Sequence, residues 1–213
     1  MTVCAASDRS LLVSFDTAIS AEAQRHVARL TAALHGVRGI LNLHPAFVSV
    51  LIDFDPRLRT HAAIEALVRE RLAGGCEPPA ESQRLVEIPV VYDGPDLEDV
   101  ARHANLSPER VVELHSSAGY QVSFVGFSTC FPYLSGLPAE LATPRLTAPR
   151  KHVPAGSIAI GGAQGGIYPL ASPGGWRLIG RTPLDLFDPH AEPPALLRMG
   201  DRVRFVRLSE ARP

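Results

Sequence analysis

The chain lacks the features that mark membrane, secreted and nucleic-acid-binding proteins. None of its apolar runs approaches the roughly 18 residues of a membrane span, and its first ten residues lack the basic and apolar segments of a secretion signal. Its formal net charge is −1, which provides no general attraction to nucleic acid or to an anionic membrane. These absences predict a cytoplasmic protein with no membrane or nucleic-acid partner.

Cysteine is also scarce. The 213 residues contain only Cys4, Cys76 and Cys130, with no CxxC pair and no zinc-like spacing of Cys and His. We therefore expect neither disulfides nor a metal site. A chain of this length can still bury a substantial core, as one large domain or two small ones.

The first part of the chain alternates between strand and helix patterns. Helical patterns begin at Ser20 and after residue 54, and short apolar or alternating runs predict strands at residues 10–15, 39–44, 48–54 and 85–91. The polar segment at residues 74–83, with two Gly and two Pro, indicates a linker. The order strand, helix, strand, strand, helix, strand predicts a ferredoxin-like unit whose last strand lies beyond the linker.

Residues 96–116 predict a pair of helices, the second with Ser107 as its N-cap and Pro108 as its first residue. The pair resembles a DNA-binding helix-turn-helix, but five acidic residues against two arginines are the wrong charge for contacting phosphates. A helical pair packed on a β domain is therefore favoured. His115 ends the second helix, where the helix dipole favours its protonated form. A helix cap is the preferred interpretation of this histidine, and a catalytic role stays open.

Residues 126–188 are crowded with Gly and Pro between short apolar runs, which is typical of tight turns around a pocket. We expect the chemistry or recognition to lie here. GFSTC at residues 126–130 resembles a nucleophile elbow, but the following FPYLSGLP is a poor helix, which disfavours a catalytic Ser128. Basic residues at 145–152 would lower the pKa of the Cys130 thiol if they lay close to it. A small side chain that fills space is the preferred interpretation of Cys130.

The same stretch contains a glycine-rich segment and a pair of arginines. GGAQGG at residues 161–166 lacks the GK[ST] and GxGxxG signatures, so this chain alone is not a recognisable nucleotide binder. Its glycines favour a turn with positive φ and close backbone approach around a ligand. In PRLTAPR, Arg145 and Arg150 either face an anion together or pair with local carboxylates. Trp176 is interpreted as a core residue.

A long motif runs through this stretch, GFxxxFPYLxGLP followed by PRxxxPRxxVPAGSxAIxGxQxGIYPxxSPGGWxLIGRTPxxLFD. With VEIPV at residues 86–90 and LHSS at residues 114–117, the chain resembles the 5-oxoprolinase B-subunit family. That family is also called allophanate hydrolase subunit 1 and includes the Kip-type inhibitor of a sporulation histidine kinase. The resemblance implies an α+β protein, with a ferredoxin-like α/β sandwich over residues 1–82. A cyclophilin-like β-barrel, with the helical pair, would occupy residues 83–213.

The resemblance also implies a function. The B and C subunits of such enzymes resemble the carboxyltransferase half of urea carboxylase, and with the A subunit they cleave 5-oxoproline to glutamate using ATP. The chain would be inactive alone, and ATP would be shared with its partner subunits. Coupling to ATP suits a stable lactam, because phosphorylation of the amide oxygen activates the carbon for attack by water.

The resemblance places eight residues around a substrate pocket and assigns no catalytic residue: Phe131, Tyr133, Arg145, Arg150, His152, Gln164, Tyr168 and Ser172. An arginine would hold a carboxylate or phosphate, and Gln164 and Tyr168 would hydrogen-bond the lactam.

Two places depart from the family pattern. In the loop GFxPGF, Thr129 and Cys130 replace Pro and Gly, and the family's QTG is here Gln164-Gly165-Gly166. The cysteine adds a side chain where close backbone approach is required, and the loss of Thr removes a hydroxyl that could contact ligand. The substrate therefore stays open. The alternatives are a carboxyltransferase or allophanate hydrolase-type subunit of a biotin-dependent system, and a non-catalytic inhibitor of a histidine kinase.

Overall fold

The computed structural model of the chain describes residues 1–74 and 84–208. The chain forms two compact units, residues 1–81 and residues 82–213. After Gly74, the predicted linker lies outside the described residues, as does Cys76. The boundary between the expected domains therefore stays a prediction.

The first unit is an antiparallel four-stranded sheet with two helices. In chain order its elements are β1 (Thr2–Ser7), β2 (Ser10–Ser14), α1 (Ala21–Leu34), β3 (Ile40–Pro45), β4 (Ser49–Phe54) and α2 (His61–Ala73). The strand order in the sheet is β1-β2-β4-β3. Each helix begins at a hydroxyl cap, because the side chains of Ser20 and Thr60 accept the N–H of Ala23 and Ala63.

The core of this unit follows from the alternation predicted for β4. Val50, Ile52 and Phe54 are buried, whereas the residues between them are half-exposed. Both helices turn their apolar side chains onto this face, including Leu30 of α1 and Ile64 of α2. The two-period and helical patterns in the sequence are therefore confirmed as one shared core.

The prediction that the last strand of this unit lies across the linker is wrong. The strand after α2, β5 (Leu85–Val90), pairs in parallel with β13 (Arg202–Arg207) in the sheet of the second unit. The position beside β2 is occupied by β1, which pairs with it in antiparallel fashion. The sequence pattern contains little sign of β1, because five of its six residues are exposed and show no alternation.

The second unit contains a seven-stranded sheet, a two-stranded ribbon and two helices. Its remaining elements are α3 (Leu97–Ala104), α4 (Pro108–Ser117), β6 (Tyr120–Gly126), β7 (Phe131–Ser135), β8 (Arg150–Val153), β9 (Ser157–Gly161), β10 (Gln164–Ile167), β11 (Ser172–Gly174) and β12 (Arg177–Arg181). The order of the large sheet is β12-β9-β10-β7-β6-β13-β5, and β11 pairs with β8. A one-turn 3-10 helix lies at Ala139–Leu141.

The two edges of the large sheet meet, which makes it a nearly closed, barrel-like sheet. Val91 and Arg181 exchange both backbone hydrogen bonds at 2.9 Å, and the N–H of Asp96 donates to the carbonyl of Leu178. Residues from nearly every strand fill the interior, among them Ile88, Leu134, Ile158, Ile179 and Phe205. The chain is thus a mixed α+β protein, and its described part contains four α-helices.

The helical pair agrees with the sequence pattern. The Ser107 side chain accepts the N–H of Arg110, Pro108 is the first helical residue, and Asn105 ends α3 in the left-handed conformation. Val100 and Val111 turn inward and belong to the barrel core. The two helices therefore cover part of the barrel, as expected.

His115 is a core residue and not a charged helix cap. Its side chain is fully buried, and its Nδ1 lies 2.8 Å from the Tyr92 hydroxyl. Burial lowers the pKa of His115 to about 3, because a charged imidazole would lose its hydration. The expectation that the helix dipole favours the protonated form is therefore wrong, since desolvation outweighs the dipole.

This histidine should make the fold sensitive to acid. Folded His115 takes up a proton only near pH 3, whereas an unfolded histidine does so near 6.5, so the unfolded state binds more protons below pH 6.5. Between pH 6.5 and pH 5, the free energy of unfolding should fall by about 1.6 kcal/mol more in the wild type than in His115→Gln. Denaturant unfolding at both pH values measures the difference. Parallel pH profiles for the two proteins would show that His115 is not responsible.

Candidate functional site

Four aromatic side chains form a cluster separate from the barrel interior. Phe131 meets Tyr133, Tyr168 and Trp176 edge-to-face, with ring centroids 5.0, 5.1 and 5.4 Å apart. Tyr133 is half-buried, and the other three side chains are buried. We call these four residues the aromatic floor. The interpretation of Trp176 as a core residue is confirmed, although its core is this smaller cluster.

The glycine-rich segment packs directly against the aromatic floor. Residues 161–166 form the β9–β10 hairpin, in which Gly162 has φ +66°. A Cβ on Gly166 would lie 2.7 Å from Phe131 Cζ and 2.9 Å from Trp176 Cζ3, and one on Gly161 would collide with the Trp176 ring. The predicted positive φ and close backbone approach are confirmed, but the groups that approach are side chains of the aromatic floor. Close approach to a ligand stays a prediction.

Strand register shows which face of β10 each residue takes. Gly166 stands opposite Tyr133, so Gln164, two residues away, lies on the same face as the aromatic floor. Position 165 faces the other side of β10. A Cβ there would contact Tyr120 and Leu134 in the barrel interior. A threonine at position 165 would therefore point into the barrel core. The interpretation of the missing threonine as a lost ligand contact is wrong for this structure.

The two arginines of PRLTAPR differ in their partners. The Arg145 guanidinium lies 5.4 Å from the centroid of the Trp176 ring, and in residues 1–74 and 84–208 no carboxylate pairs with it. Arg150 Nη2 donates to Asp96 Oδ1 at 2.7 Å. Burial raises the pKa of Tyr168, while the Trp176 backbone hydrogen bond and the charges of both arginines oppose that shift. Arg145 thus contacts the aromatic floor at Trp176, and Arg150 pairs with Gly174, which lies against Tyr168.

Three of the eight predicted site residues carry a buried polar atom that has no hydrogen-bond partner in the described parts of the chain. These atoms are Arg150 Nη1, Gln164 Oε1 and Ser172 Oγ. Arg150 and Ser172 lie on the β8–β11 ribbon, where a Cβ on Gly174 would lie 2.8 Å from Tyr168 Cζ. Each unpaired buried group costs about 1–3 kcal/mol, so a ligand that pairs with them gains binding energy.

His152 stands apart from this group. It is exposed on β8, and within the described ranges no hydrogen bond or ring contact links it to the aromatic floor. The structure thus places Phe131, Tyr133, Tyr168, Arg145 and Gln164 at the aromatic floor. It places Arg150 and Ser172 on the β8–β11 ribbon beside Tyr168, and it leaves His152 at the surface.

The loop at residues 127–130 joins β6 to β7 as a hairpin. Because Ser128 lies between two antiparallel strands and not between a strand and a helix, the exclusion of a nucleophile elbow is confirmed. Burial raises the pKa of the Cys130 thiol. A lowered pKa from the basic residues at 145–152 is therefore contradicted. The interpretation of Cys130 as a space-filling side chain stays a prediction, since the residue is only partly buried.

Cys130 should cost the fold some stability. It has φ +60°, in the left-handed region, at the position where the family motif has glycine. Cys130→Gly is expected to raise the free energy of unfolding by about 1 kcal/mol, because a side chain in this conformation is disfavoured. Thermal unfolding measures the gain. Cys130→Ala is the control, since alanine retains a Cβ and should give no gain; equal stabilisation by both would exclude backbone strain.

Asp96 is a site residue that the sequence did not reveal. Its carboxylate is buried, accepting Arg150 Nη2 at Oδ1 and the backbone N–H of Leu178 at Oδ2, each at 2.7 Å. In the sequence it is one of several acidic residues around a predicted helix. Its partners lie 54 and 82 residues away, so no local pattern marks it.

Membrane helices and metal-binding clusters are both absent from the described ranges. No helix there is long and apolar enough to cross a membrane. Among the same residues, no group of three or more His, Cys, Asp or Glu side chains has an arrangement that could hold a metal ion.

Comparison with known proteins defines first the class of protein. The model of the carboxyltransferase domain, subdomains C and D, matches residues 1–197, and the chain belongs to that family. It is 40% identical to the 5-oxoprolinase B subunit of Bacillus subtilis (strain 168), over 95% of this chain and 91% of that protein. It is 44% identical to the 5-oxoprolinase B subunit of Escherichia coli O157:H7, over 95% of this chain and 94% of that protein. The resemblance to the 5-oxoprolinase B-subunit family is thus confirmed.

A solved structure and a distant relative extend the comparison. The crystal structure of TTHA0988 aligns with a TM-score of 0.83 at 40% identity, covering 96% of this chain and 41% of that one. This chain therefore spans about two fifths of the solved chain. A putative urea carboxylase of Emericella nidulans is 28% identical over 54% of this chain, which is 10% of its own length.

Proposed function

We propose that this chain is the B subunit of an ATP-dependent 5-oxoprolinase-type complex and that its aromatic floor binds the lactam substrate. The observation that carries the proposal is the set of three buried, unpaired polar atoms of Arg150, Gln164 and Ser172. They belong to a chain whose relatives of similar length are named as the B subunit of 5-oxoprolinase. A small cyclic amide with a carboxylate would satisfy all three.

Each group has a chemical role in this proposal. Arg150 Nη1 donates to the carboxylate of 5-oxoproline, and Arg145 adds a second positive charge. Gln164 Oε1 accepts the lactam N–H, and the Ser172 hydroxyl donates to the lactam carbonyl. The ring of the substrate packs on the aromatic floor at Tyr133, its half-buried member, which excludes water from one side of the amide.

In the proposed reaction ATP would be the co-substrate that activates the amide oxygen. The described residues fit ATP poorly, because residues 161–166 form a hairpin under Trp176 and not a phosphate-binding loop that leads into a helix. We therefore assign the binding of ATP to a site shared with the partner subunits.

A partner must also supply proton transfer. In the described part of the chain, the carboxylate that touches the site residues is Asp96, and both of its oxygens accept hydrogen bonds. Burial raises the pKa of Tyr133 and Tyr168, so neither phenol is an effective base. In this proposal the site is half of an active site, which the C and A subunits complete.

A carboxyltransferase subunit of a biotin-dependent system is the second candidate. The match to a carboxyltransferase domain and the distant similarity to a putative urea carboxylase favour it. The ureido ring of biotin is also a five-membered cyclic amide with N–H and C=O groups, so Gln164 and Ser172 would suit it equally. Unlike 5-oxoproline, the ureido ring carries no carboxylate next to the amide. If biotin were the ligand, Arg150 would therefore contact another anion.

Reconstitution tests the two candidates against each other. The chain is purified with its A and C partner subunits and supplied with 5-oxo-L-proline, and glutamate is measured with and without ATP. ATP-dependent release of glutamate supports the 5-oxoprolinase. Absence of glutamate, together with carboxyl transfer in the presence of biotin carboxylase and biotin, would replace it with the second candidate.

Two structural expectations belong with this proposal. The nearly closed sheet supports a cyclophilin-like barrel for the second unit, and the sheet and helix order of the first unit supports a ferredoxin-like sandwich whose edge strand is β1. The partners and co-substrate of such a complex support a cytoplasmic location.

A further inference from the structure

Asp96 connects three elements of the second unit at one point. It precedes α3, its own N–H donates to the Leu178 carbonyl at 2.9 Å, and its Oδ2 accepts the Leu178 N–H at 2.7 Å. The remaining oxygen, Oδ1, accepts Arg150 Nη2 from β8. The carboxylate is therefore fixed to the backbone of β12 at one oxygen and to the arginine at the other.

This arrangement determines the direction of the arginine. A guanidinium is planar and its N–H groups form a rigid fork, so fixing Nη2 also restricts Nη1. Arg150 has a side chain that is 28% exposed, but its Nη1 is buried, and no partner for it lies in residues 1–74 or 84–208. Without Asp96, the long side chain would be free to turn Nη1 toward solvent.

We propose that Asp96 is a positioning residue, which holds the Arg150 guanidinium so that Nη1 faces the carboxylate of the ligand. This inference rests on the proposed function for the identity of the ligand and on the geometry alone for the orientation of Arg150. A buried ion pair often adds little to stability compared with a neutral replacement of the same size, so stability alone is a weak reason for burying this one.

The first experiment compares two aspartates of the same region. Asp96→Asn keeps the shape of the side chain and removes the charge; Asp99→Asn, on α3, breaks the surface pairs with Arg102 and Arg177 and leaves Arg150 untouched. In the reconstituted complex, Asp96→Asn should raise KM for 5-oxo-L-proline by about tenfold or more with a smaller effect on kcat. Asp99→Asn should change KM less than about twofold.

Two further measurements separate positioning from a general loss of structure. The inhibition constant of 2-pyrrolidinone, the same lactam without a carboxylate, should be unchanged in Asp96→Asn. In an Arg150→Met background, Asp96→Asn should cause no additional rise in KM, because its effect passes through Arg150. If Asp96→Asn does not fold, Asp96→Glu serves instead, since it keeps the charge but shifts the guanidinium, and it should also raise KM.

A readout without substrate keeps this inference distinct from the proposed function. In 15N-labelled chain, the Arg150 side-chain N–H signals should exchange slowly in the wild type and in Asp99→Asn, and they should broaden or average in Asp96→Asn. That result with no 5-oxoprolinase activity would overturn the proposed function and retain the positioning of Arg150. Unchanged Arg150 signals in Asp96→Asn, or an unchanged KM when Arg150→Met raises it, would overturn the positioning role.

Discussion

Replacing Arg150 with alanine is expected to lower kcat/KM of the reconstituted complex for 5-oxo-L-proline by about 10² to 10³-fold. The reason is the loss of a charge-assisted hydrogen bond in a buried setting, where removing one partner of a charged pair costs about 2–5 kcal/mol. Nη1 is the buried donor that lacks a partner in the described residues, so its removal affects ligand binding directly. Steady-state kinetics on the purified complex measure the loss.

The matched control is Arg181→Ala. Arg181 also belongs to the barrel sheet, but its side chain is 66% exposed and pairs with Asp93, so its loss should change kcat/KM less than about twofold. Arg150→Lys keeps the positive charge without the planar fork and should give an intermediate loss. Unchanged kinetics in Arg150→Ala would remove this residue from the site.

Stability must be measured in the same variant. Removing Arg150 leaves the Asp96 carboxylate buried without its cation, which destabilises a protein by about 3–5 kcal/mol. A kinetic loss therefore counts only for protein that is shown to be folded, by circular dichroism and by assembly with its partners. Adding Asp96→Asn to the same chain removes this buried charge, so the double variant is expected to be more stable than Arg150→Ala and serves as the comparison.

The local features of the fold were predictable because their causes are local. Ser107 and Pro108 specify the start of α4 through a single side-chain hydrogen bond and a fixed φ, and both are visible in the sequence. The alternation of Val50, Ile52 and Phe54 likewise reflects one buried face of β4. Such features need only near neighbours, so the pattern and the structure agree.

The features that the sequence did not predict depend on distant partners. The sheet to which β5 belongs is decided by its pairing with β13, near the other end of the chain. The ferredoxin-like pattern of strands and helices contains no information about that pairing. His115 is buried among Tyr92, Tyr120 and Phe205, and only this surrounding decides its charge. The helix dipole, which the sequence does show, is the weaker effect.

In the candidate site, too, features with local causes were predictable and features with distant causes were not. Its turn-rich texture and the positive φ of Gly162 follow from composition, and the family motif placed Arg150 and Gln164 in the site. The role of Gly165 depends on strand register, because a shift of one residue exchanges the faces of a strand. The contact between Asp96 and Arg150 depends on closure of the barrel, which brings the segment after β5 beside β12.

That closure leads to a large expected effect on stability at Gly94. At Gly94 the chain passes beside β12, where its N–H donates to the Ile179 carbonyl at 3.3 Å. A Cβ at this position would lie 2.5 Å from the backbone nitrogen of Gly180, and closer still to backbone atoms of Leu178 and Ile179. Backbone atoms in a sheet cannot move aside as the end of a flexible side chain can. Gly94→Ala therefore has to separate the two edges of the barrel.

Gly94→Ala is expected to lower the free energy of unfolding by about 3 kcal/mol or more, at the upper end of the cost of overpacking. For a protein of this size, that corresponds to a fall in Tm of roughly 6–12 °C, measurable by calorimetry as a shift of the transition of the second unit. The control is Gly119→Ala, because Gly119 lies in the same unit and a Cβ there meets nothing within 4 Å. It should leave Tm unchanged within about 2 °C, or raise it slightly by reducing the entropy of the unfolded chain. Equal Tm values for the two variants would show that the space between Gly94 and β12 is large enough to accept a side chain. The two edges of the barrel would then be less rigidly joined than the hydrogen bonds of Asp96 with Leu178 and Arg150 require. The orientation of Arg150 would lose its structural basis.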